Sequence, residues 1–333
     1  MVKRQPALAA QFPAIIEPMQ GFFPTFQKER RPVSSGTLSA LIQLQRQDLL
    51  TGLLEVVYPG NAQTLLFFNL GAPFAMYVQN EGIWRKILPS QWSDYYAQPN
   101  GEAAIIPLGG DGLRTCLMTL ESGQGEMEEI LIRTAGFAAH LGQVKKRETA
   151  SLLRVQDEAF HALVVVPGGT VDVQDVLIFS KSGIHTDIRT LTRLIGDEDR
   201  LIRVSQTEFP HFPQFMEEYA LRVAFVVLAE PAMKRFEQLA GDSLMELLGQ
   251  EVNNYAFHQG WKIQFFGSQV VHRHFFQESG EAVMVYRSLF RMMRQYIHRV
   301  VGASLAANVV SEGLGGLPAS YREIFNQRYF LAG

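Results

Sequence analysis

Three short apolar runs, separated by turns too tight to hold anything else, fix what residues 51–78 can become. Leu53-Leu54-Glu55-Val56-Val57-Tyr58 runs into Pro59-Gly60-Asn61, and Thr64-Leu65-Leu66-Phe67-Phe68 into Asn69-Leu70-Gly71-Ala72-Pro73; Phe74-Ala75-Met76-Tyr77-Val78 follows. Turns of this length join neighbouring antiparallel strands, because a parallel pair needs a crossover of about a dozen residues. Three sequential antiparallel strands are therefore expected. Upstream, Ser34-Ser35-Gly36 leads into Leu38, Leu41, Ile42 and Leu44, spaced for one face of a short helix packed beneath those strands. A short helix around Trp84–Trp92 and a strand at Ala103–Pro107 complete the unit.

After the glycines at 109, 110 and 112, Leu113–Leu120 reads as a strand and Met127–Val144 as a helix, with Ile130, Leu131, Thr134, Phe137, Ala138 and Leu141 on one face. Strands at Ala162–Val166 and Val176–Phe179 flank Pro167-Gly168-Gly169. The stretches LLEVVYPGNAQTLLFFNLGAPF and ALVVVPGGTVDVQDVLIFSKSGIH share strand, Pro-Gly turn, strand ending on Phe, and glycine. They read either as an internal repeat or as two unrelated hairpins whose turn chemistry is alike.

Beyond Gln214 helices dominate. Phe215–Glu230 is one, Pro231 opens the next, Asp242 caps Ser243–Asn254, Glu281–Val310 is long and amphipathic, and Pro318–Phe330 is the last. Trp261–Phe266 and Val270–Phe276 alternate like a hairpin. The N-terminal 33 residues hold five of the fifteen prolines beside Phe22, Phe23 and Phe26. Proline at that density prevents a regular helix, so these residues are either an arm docked on this chain or a second copy, or a disordered tail. The fold class expected is α+β. Residues 1–33 form an arm, 34–125 and 126–213 two small α/β units, and 214–333 a mainly helical domain with a hairpin at about 261–276.

Of the 333 residues, 47% are hydrophobic and 19% charged, and the formal net charge is −3. So balanced a chain has no global field for nucleic acid or an anionic membrane. The single cysteine, Cys116, excludes an internal disulfide and a thiolate-rich metal site. No apolar run reaches about 18 residues, and Pro6, Pro13 and Pro18 break the N-terminal stretch, so a cytoplasmic protein is expected.

Residues 34–108, about a quarter of the chain, resemble the PATAN domain, a bacterial signalling module. The matching positions are Gly36-Thr37-Leu38, Leu41-Ile42, Thr51-Gly52-Leu53-Leu54-Glu55-Val56, Leu66-Phe67-Phe68 and Gly71-Ala72-Pro73-Phe74-Ala75. Tyr77–Gly82 departs from the alanine-rich continuation of the family, and no receiver domain is recognisable in the chain. The resemblance implies a non-enzymatic interaction module of the kind used in motility and pilus control. It carries over no catalytic residue.

Signatures of chemistry fail on context. Gly241-Asp242-Ser243-Leu244 spells a lipase–esterase motif, but no aspartate follows Asp242 to serve the triad. Gly313–Pro318 follows a helix rather than a strand, unlike a phosphate-binding loop. His272 and His274 lie two apart on a strand and are the metal candidates, with two solvent-facing histidines as the simpler account. Asp197-Glu198-Asp199 reads as a loop, and Glu126, Glu128 and Glu129 as the acidic start of a helix. Arg287, Arg291, Arg294 and His298 step by 4, 3 and 4 along one helical face. Such a row fits an acidic partner segment, or glutamates of a packed helix such as Glu217, Glu218 or Glu237.

The reading that follows is a scaffold or adaptor in bacterial signalling, without cofactor or catalytic residue. It binds protein partners through that stripe and through Phe22, Phe23 and Phe26, and forms a homo-oligomer if the arm docks on a second copy. The alternatives are a small-ligand sensor with a pocket between the C-terminal helices and the 261–276 strands, and an enzyme whose site no motif reveals.

Overall fold

The turn-rich stretch forms the middle of an antiparallel sheet. The computed structural model describes residues 30–59, 62–80, 83–98, 100–121, 128–169, 175–196, 199–209, 214–315, 317–318 and 321–323. The first sheet contains, in spatial order, β1 (Arg31–Val33), β6 (Gly101–Pro107), β2 (Gly52–Val57), β3 (Gln63–Asn69), β4 (Ala72–Asn80) and β5 (Ile83–Ile87), each antiparallel to the next. Helix α1 (Ser35–Gln47) sets Leu38 and Ile42 against Leu54, Val56, Leu66, Phe68 and Met76, with Leu41 half-buried beside them. Leu44, expected on the same face, is exposed. Residues 31–33 belong to this sheet and not to an arm; Pro32 is admissible there because β1 is an edge. Phe22, Phe23 and Phe26 lie outside the described residues. Around Trp84 the chain is strand β5, and the helix α2 (Trp92–Tyr96) begins only after Pro89.

Two glycines in this sheet have specific jobs. Gly52 is there for want of space: a Cβ would sit 2.2 Å from the Ile106 carbonyl oxygen on β6. Gly71 turns with φ +80° and faces the carbonyl of Arg46 at the end of α1. The Gly71 N–H donates to Leu50 O at 2.8 Å and the Leu70 N–H to Thr51 Oγ1 at 3.1 Å, which pins the β3–β4 turn to the α1–β2 connection.

The second sheet runs β7 (Glu128–Arg133), β12 (Leu201–Glu208), β8 (Ser151–Gln156), β9 (Phe160–Val166), β10 (Asp175–Ser180) and β11 (Gly183–His185), again antiparallel throughout. One face is covered by α4 (Phe137–Lys145), through Phe137 and Val144, and by α5 (Ile188–Gly196), through Leu191 and Ile195. Its strand order matches that of the first sheet position for position: each unit enters on an outer strand, crosses by a helix, lays down four sequential strands, and returns by a second helix to the slot beside the entry strand. This correspondence pairs β2 with β8 and β3 with β9. The sequence echo instead aligns β2–β3 with β9–β10, one strand out of phase, so it reflects Pro-Gly turn chemistry rather than equivalent positions.

Two expectations between the sheets are reversed. Leu113–Leu120 is helical, within α3 (Gly109–Glu121), and residues 112–120 are all buried. Leu113, Cys116, Leu117 and Leu120 share one side of this helix and Arg114, Thr115 and Thr119 the other, so the helical period is present in the sequence, and here the polar side is buried too. Met127–Val144 is not one helix: Glu128 and Glu129 open β7, with Ile130 and Ile132 inward, and α4 starts at Phe137. Helix α3 touches β2 of the first sheet, β9 and β10 of the second, and the long helix α6 (Gln214–Ala240).

In α6, Pro231 lies inside the helix rather than opening a new one. Gly241, at φ +85°, and not Asp242, stands at the N-cap of α7 (Asp242–His258). The hairpin is β13 (Ile263–Phe266) with β14 (Gln269–His272). Residues 281–310 divide at Gly302, φ +84°, into α8 (Ser279–Val301) and α9 (Ala303–Gly315). Of the expected last helix only Pro318, which is not helical, and residues 321–323, which are, are described. One apolar core joins Leu53, Leu65 and Phe67 of the first sheet, Leu113 and Leu117 of α3, Leu163 and Leu177 of the second sheet, and the interior of the helical region. The protein is an α+β fold with a helical C-terminal region.

Candidate functional site

Helices α8 and α9 diverge from Gly302, and the space between them opens into a groove of about 880 Å³. Arg294, His298 and Arg299 reach it from α8 and Glu251 from α7, while Ala303, Ala307 and Ser311 line the α9 side. Small residues on α9 leave the room, and the stripe on α8 supplies the charge. Arg299 meets Glu251 at 3.2 Å and stacks over the Tyr296 ring at 5.3 Å. Arg291 and Arg294 are exposed and have no ion-pair partner among the described residues. Arg287 is half-buried and engaged elsewhere in the fold. Of the glutamates considered as internal partners, Glu217 accepts from Ser279 Oγ at 2.9 Å and Glu218 is held by Arg114 of α3. The structure thus brings Arg294 and His298 to one concavity and leaves Arg291 and Arg287 outside its lining.

A second cluster of charge is sealed in the core. Arg114 of α3 donates through Nε to Glu218 Oε2 of α6 at 2.6 Å and through Nη1 to Asp175 Oδ2 of β10 at 3.0 Å. Its Nη1 also lies 3.2 Å from Asp111, and Nη2 donates to the His274 carbonyl at 2.7 Å. Arg222 of α6 donates to the other oxygen of Asp175 and, at 2.9 Å, to the His272 carbonyl. Burial opposes the charge on Arg114, but Glu218, Asp175 and Asp111 hold it protonated well above its ordinary range. Burial alone would raise Asp175, yet the guanidinium groups of Arg222 and Arg114 keep it below its usual value. For Glu218 burial wins against Arg114, and its carboxyl moves up. Two cations thus clip α3, the second sheet, α6 and the end of the hairpin into one body.

The histidines sit against this clip. His272 is buried, not solvent-facing; its Nε2 lies 2.8 Å from the Tyr286 hydroxyl of α8. Burial, with Arg222 and Arg114 adding their charge, pushes its ring well below the ordinary histidine range. His274, half-buried, is lowered to about 4 by burial and by Lys262 and Arg114. Among the described residues no group of three or more His, Cys, Asp or Glu is placed to hold a metal ion. Cys116 is buried, and burial drives its thiol up, away from the reactive thiolate. Asp199 pairs with Arg133 at 2.9 Å, while Asp197, Glu198 and Glu126 lie outside the described residues.

No protein-family model matches the chain, and no curated protein matches it. Among solved structures, the chain is similar to DNA polymerase III subunit beta from Borrelia burgdorferi in complex with a natural product. That likeness has 8% identity and TM-score 0.12 over 57% of this chain and 62% of that one. It is also similar to DNA polymerase III subunit beta from Pseudomonas aeruginosa, at 11% identity and TM-score 0.12, over 60% and 74% of the two chains. At those scores neither likeness bears on fold or activity. Among the described residues no helix is long and apolar enough to cross a membrane.

Proposed function

We propose that the protein is a non-enzymatic scaffold or adaptor of bacterial signalling, working in the cytoplasm and holding an acidic segment of a partner protein in the α8–α9 groove. The observation that carries this reading is the convergence of Arg294, His298 and Arg299 on one groove, with Arg291 extending the same charge beyond it. Arginine favours planar, bidentate contact with carboxylates, and a groove edged with alanines has room for a helical or extended guest. A contribution against catalysis comes from the core clip: its perturbed carboxylates are enclosed by their own partners, where no substrate atom reaches. The signalling context rests on the resemblance of residues 34–108 to the PATAN domain.

The test is a pull-down from extract of the source cells, comparing wild type with Arg291→Glu/Arg294→Glu/His298→Glu. A partner that wild type holds, that salt releases and that the folded variant loses is the expected result; identical partners for both proteins overturn the reading. A second reading has one observation in its favour: about 880 Å³ lies within the range of small-molecule sites. In that case an anionic metabolite occupies the groove, away from the 261–276 strands, and raises the melting temperature of wild type but not of the triple variant.

A further inference from the structure

The second sheet ends on β7, whose outer side has no strand beside it among the described residues. Open edges invite pairing with another chain, and proteins guard them with proline, short length or clustered like charge. The other edges follow that rule. Strand β1 is three residues long and contains Pro32, β11 is three residues long, and β5 carries Arg85 beside Lys86. Strand β7 has six residues and no proline, and its two like charges, Glu128 and Glu129, stand at one end with Arg133 at the other. Glu129, Leu131 and Arg133 stand on its exposed side, and Leu131 is 56% exposed, while Ile130 and Ile132 pack towards the second core.

We propose that β7 pairs antiparallel with β7 of a second copy of this chain, in the register centred on Leu131, so that two six-stranded sheets continue into one. Backbone groups alternate along a strand, so two identical antiparallel strands can meet only in registers centred on a residue. Centred on Leu131, Glu129 of each copy faces Arg133 of the other, Leu131 faces Leu131, and Ile130 faces Ile132. Centred on Ile130, Glu129 faces Leu131; centred on Ile132, Leu131 faces Arg133. Only the first register sets charge against opposite charge and apolar against apolar, and such pairs are what stabilise neighbouring strands. Within one copy Glu129 is 3.2 Å from Arg203 and Arg133 is 2.9 Å from Asp199. Arg203 of β12 and Asp199 just before it therefore already engage these two side chains within one copy.

Sedimentation velocity of the full chain tests this. Wild type sediments as a dimer at micromolar concentration. Glu129→Arg sets arginine against Arg133 at both ends of the pairing and weakens the dimer by roughly tenfold or more. Leu131→Lys brings two ammonium groups together on the axis and does the same. Glu129→Arg/Arg133→Glu restores the dimer, although it makes both contacts with Arg203 and Asp199 repulsive; recovery can then come only from across the interface. Circular dichroism checks that each variant keeps the fold. A monomeric wild type, a dimer indifferent to Glu129→Arg and Leu131→Lys, or a double variant that stays apart each overturns the proposal.

Discussion

A guanidinium with no exposed surface survives only when its donors are used, and Arg114 spreads its own over Glu218, Asp175, Asp111 and one carbonyl. Breaking a buried pair from one side costs about 3–5 kcal/mol, because the other charge stays behind. None of this was legible in the sequence. Asp111, Arg114, Asp175, Glu218 and Arg222 each look like a solvated surface charge; Asp111 is three positions from Arg114, but the other hydrogen-bond partners lie 47 to 160 positions apart. Of the groove's lining, Arg294 and His298 were legible, since a step of 4, 3 and 4 needs only the helix period; Arg299, Glu251 and the α9 residues were not, because the sequence reads 281–310 as one helix. His272 gives the clip a measurable signature. It is neutral in the fold, while an unfolded histidine takes up a proton near pH 6.5, so below that value the unfolded chain binds more protons. Stability is therefore fully present above about pH 6.5 and falls on acidification, with a slope approaching about 1.4 kcal/mol per pH unit from this one group. Urea unfolding between roughly pH 5 and 7 should show a shallower slope for His272→Gln than for wild type. Equal slopes would mean that another group controls the acid limb.

At the scale of elements, the sequence announced strands where turn chemistry bounds them and failed where tertiary burial decides. Strands β2, β3 and β4 lie where their Pro-Gly and Leu-Gly turns place them. Helix α3 was read as a strand from its run of apolar residues although Leu113, Cys116, Leu117 and Leu120 share a helical face, and β7 as a helix because Ile130, Leu131 and Thr134 share one; in the strand Ile130 and Leu131 point to opposite faces. Glycines separate two kinds of constraint that look alike in a motif. Gly36 and Gly52 both belong to the PATAN-like pattern, but a Cβ at Gly36 meets nothing within 4 Å, whereas at Gly52 it meets the backbone of β6. Gly52→Ala must push β2 and β6 apart, at a cost of about 1–3 kcal/mol. Gly36→Ala, in the first turn of α1, should be neutral or stabilise by up to about 1 kcal/mol. Urea midpoints of the two variants against wild type check this, and equal losses at both positions would show that the motif is not explained by space.

On the scale of the whole molecule, each sheet has its own core on one face, under α1 or under α4 and α5, while the opposite faces share the apolar core that runs from Leu53 through Leu117 and Leu177 to Phe225 and Leu289. The expected consequence is one cooperative unfolding transition. Trp92 reports on the first sheet and Trp261 on the helical region; variants that keep only one of them should unfold at the same urea concentration. Separate midpoints would mean that the shared core does not couple them. The order of synthesis gives the clip a further consequence. Arg114 waits for Asp175, 61 residues later, for Glu218, 104 later, and for the carbonyl of His274, 160 later. At about 5–20 residues per second the last interval lasts roughly ten to thirty seconds, through which α3 stands complete in sequence with only Asp111 beside its arginine. In a growing chain that helix, with its leucines uncovered and its arginine answered only by Asp111, is the segment on which a chaperone at the ribosome would act.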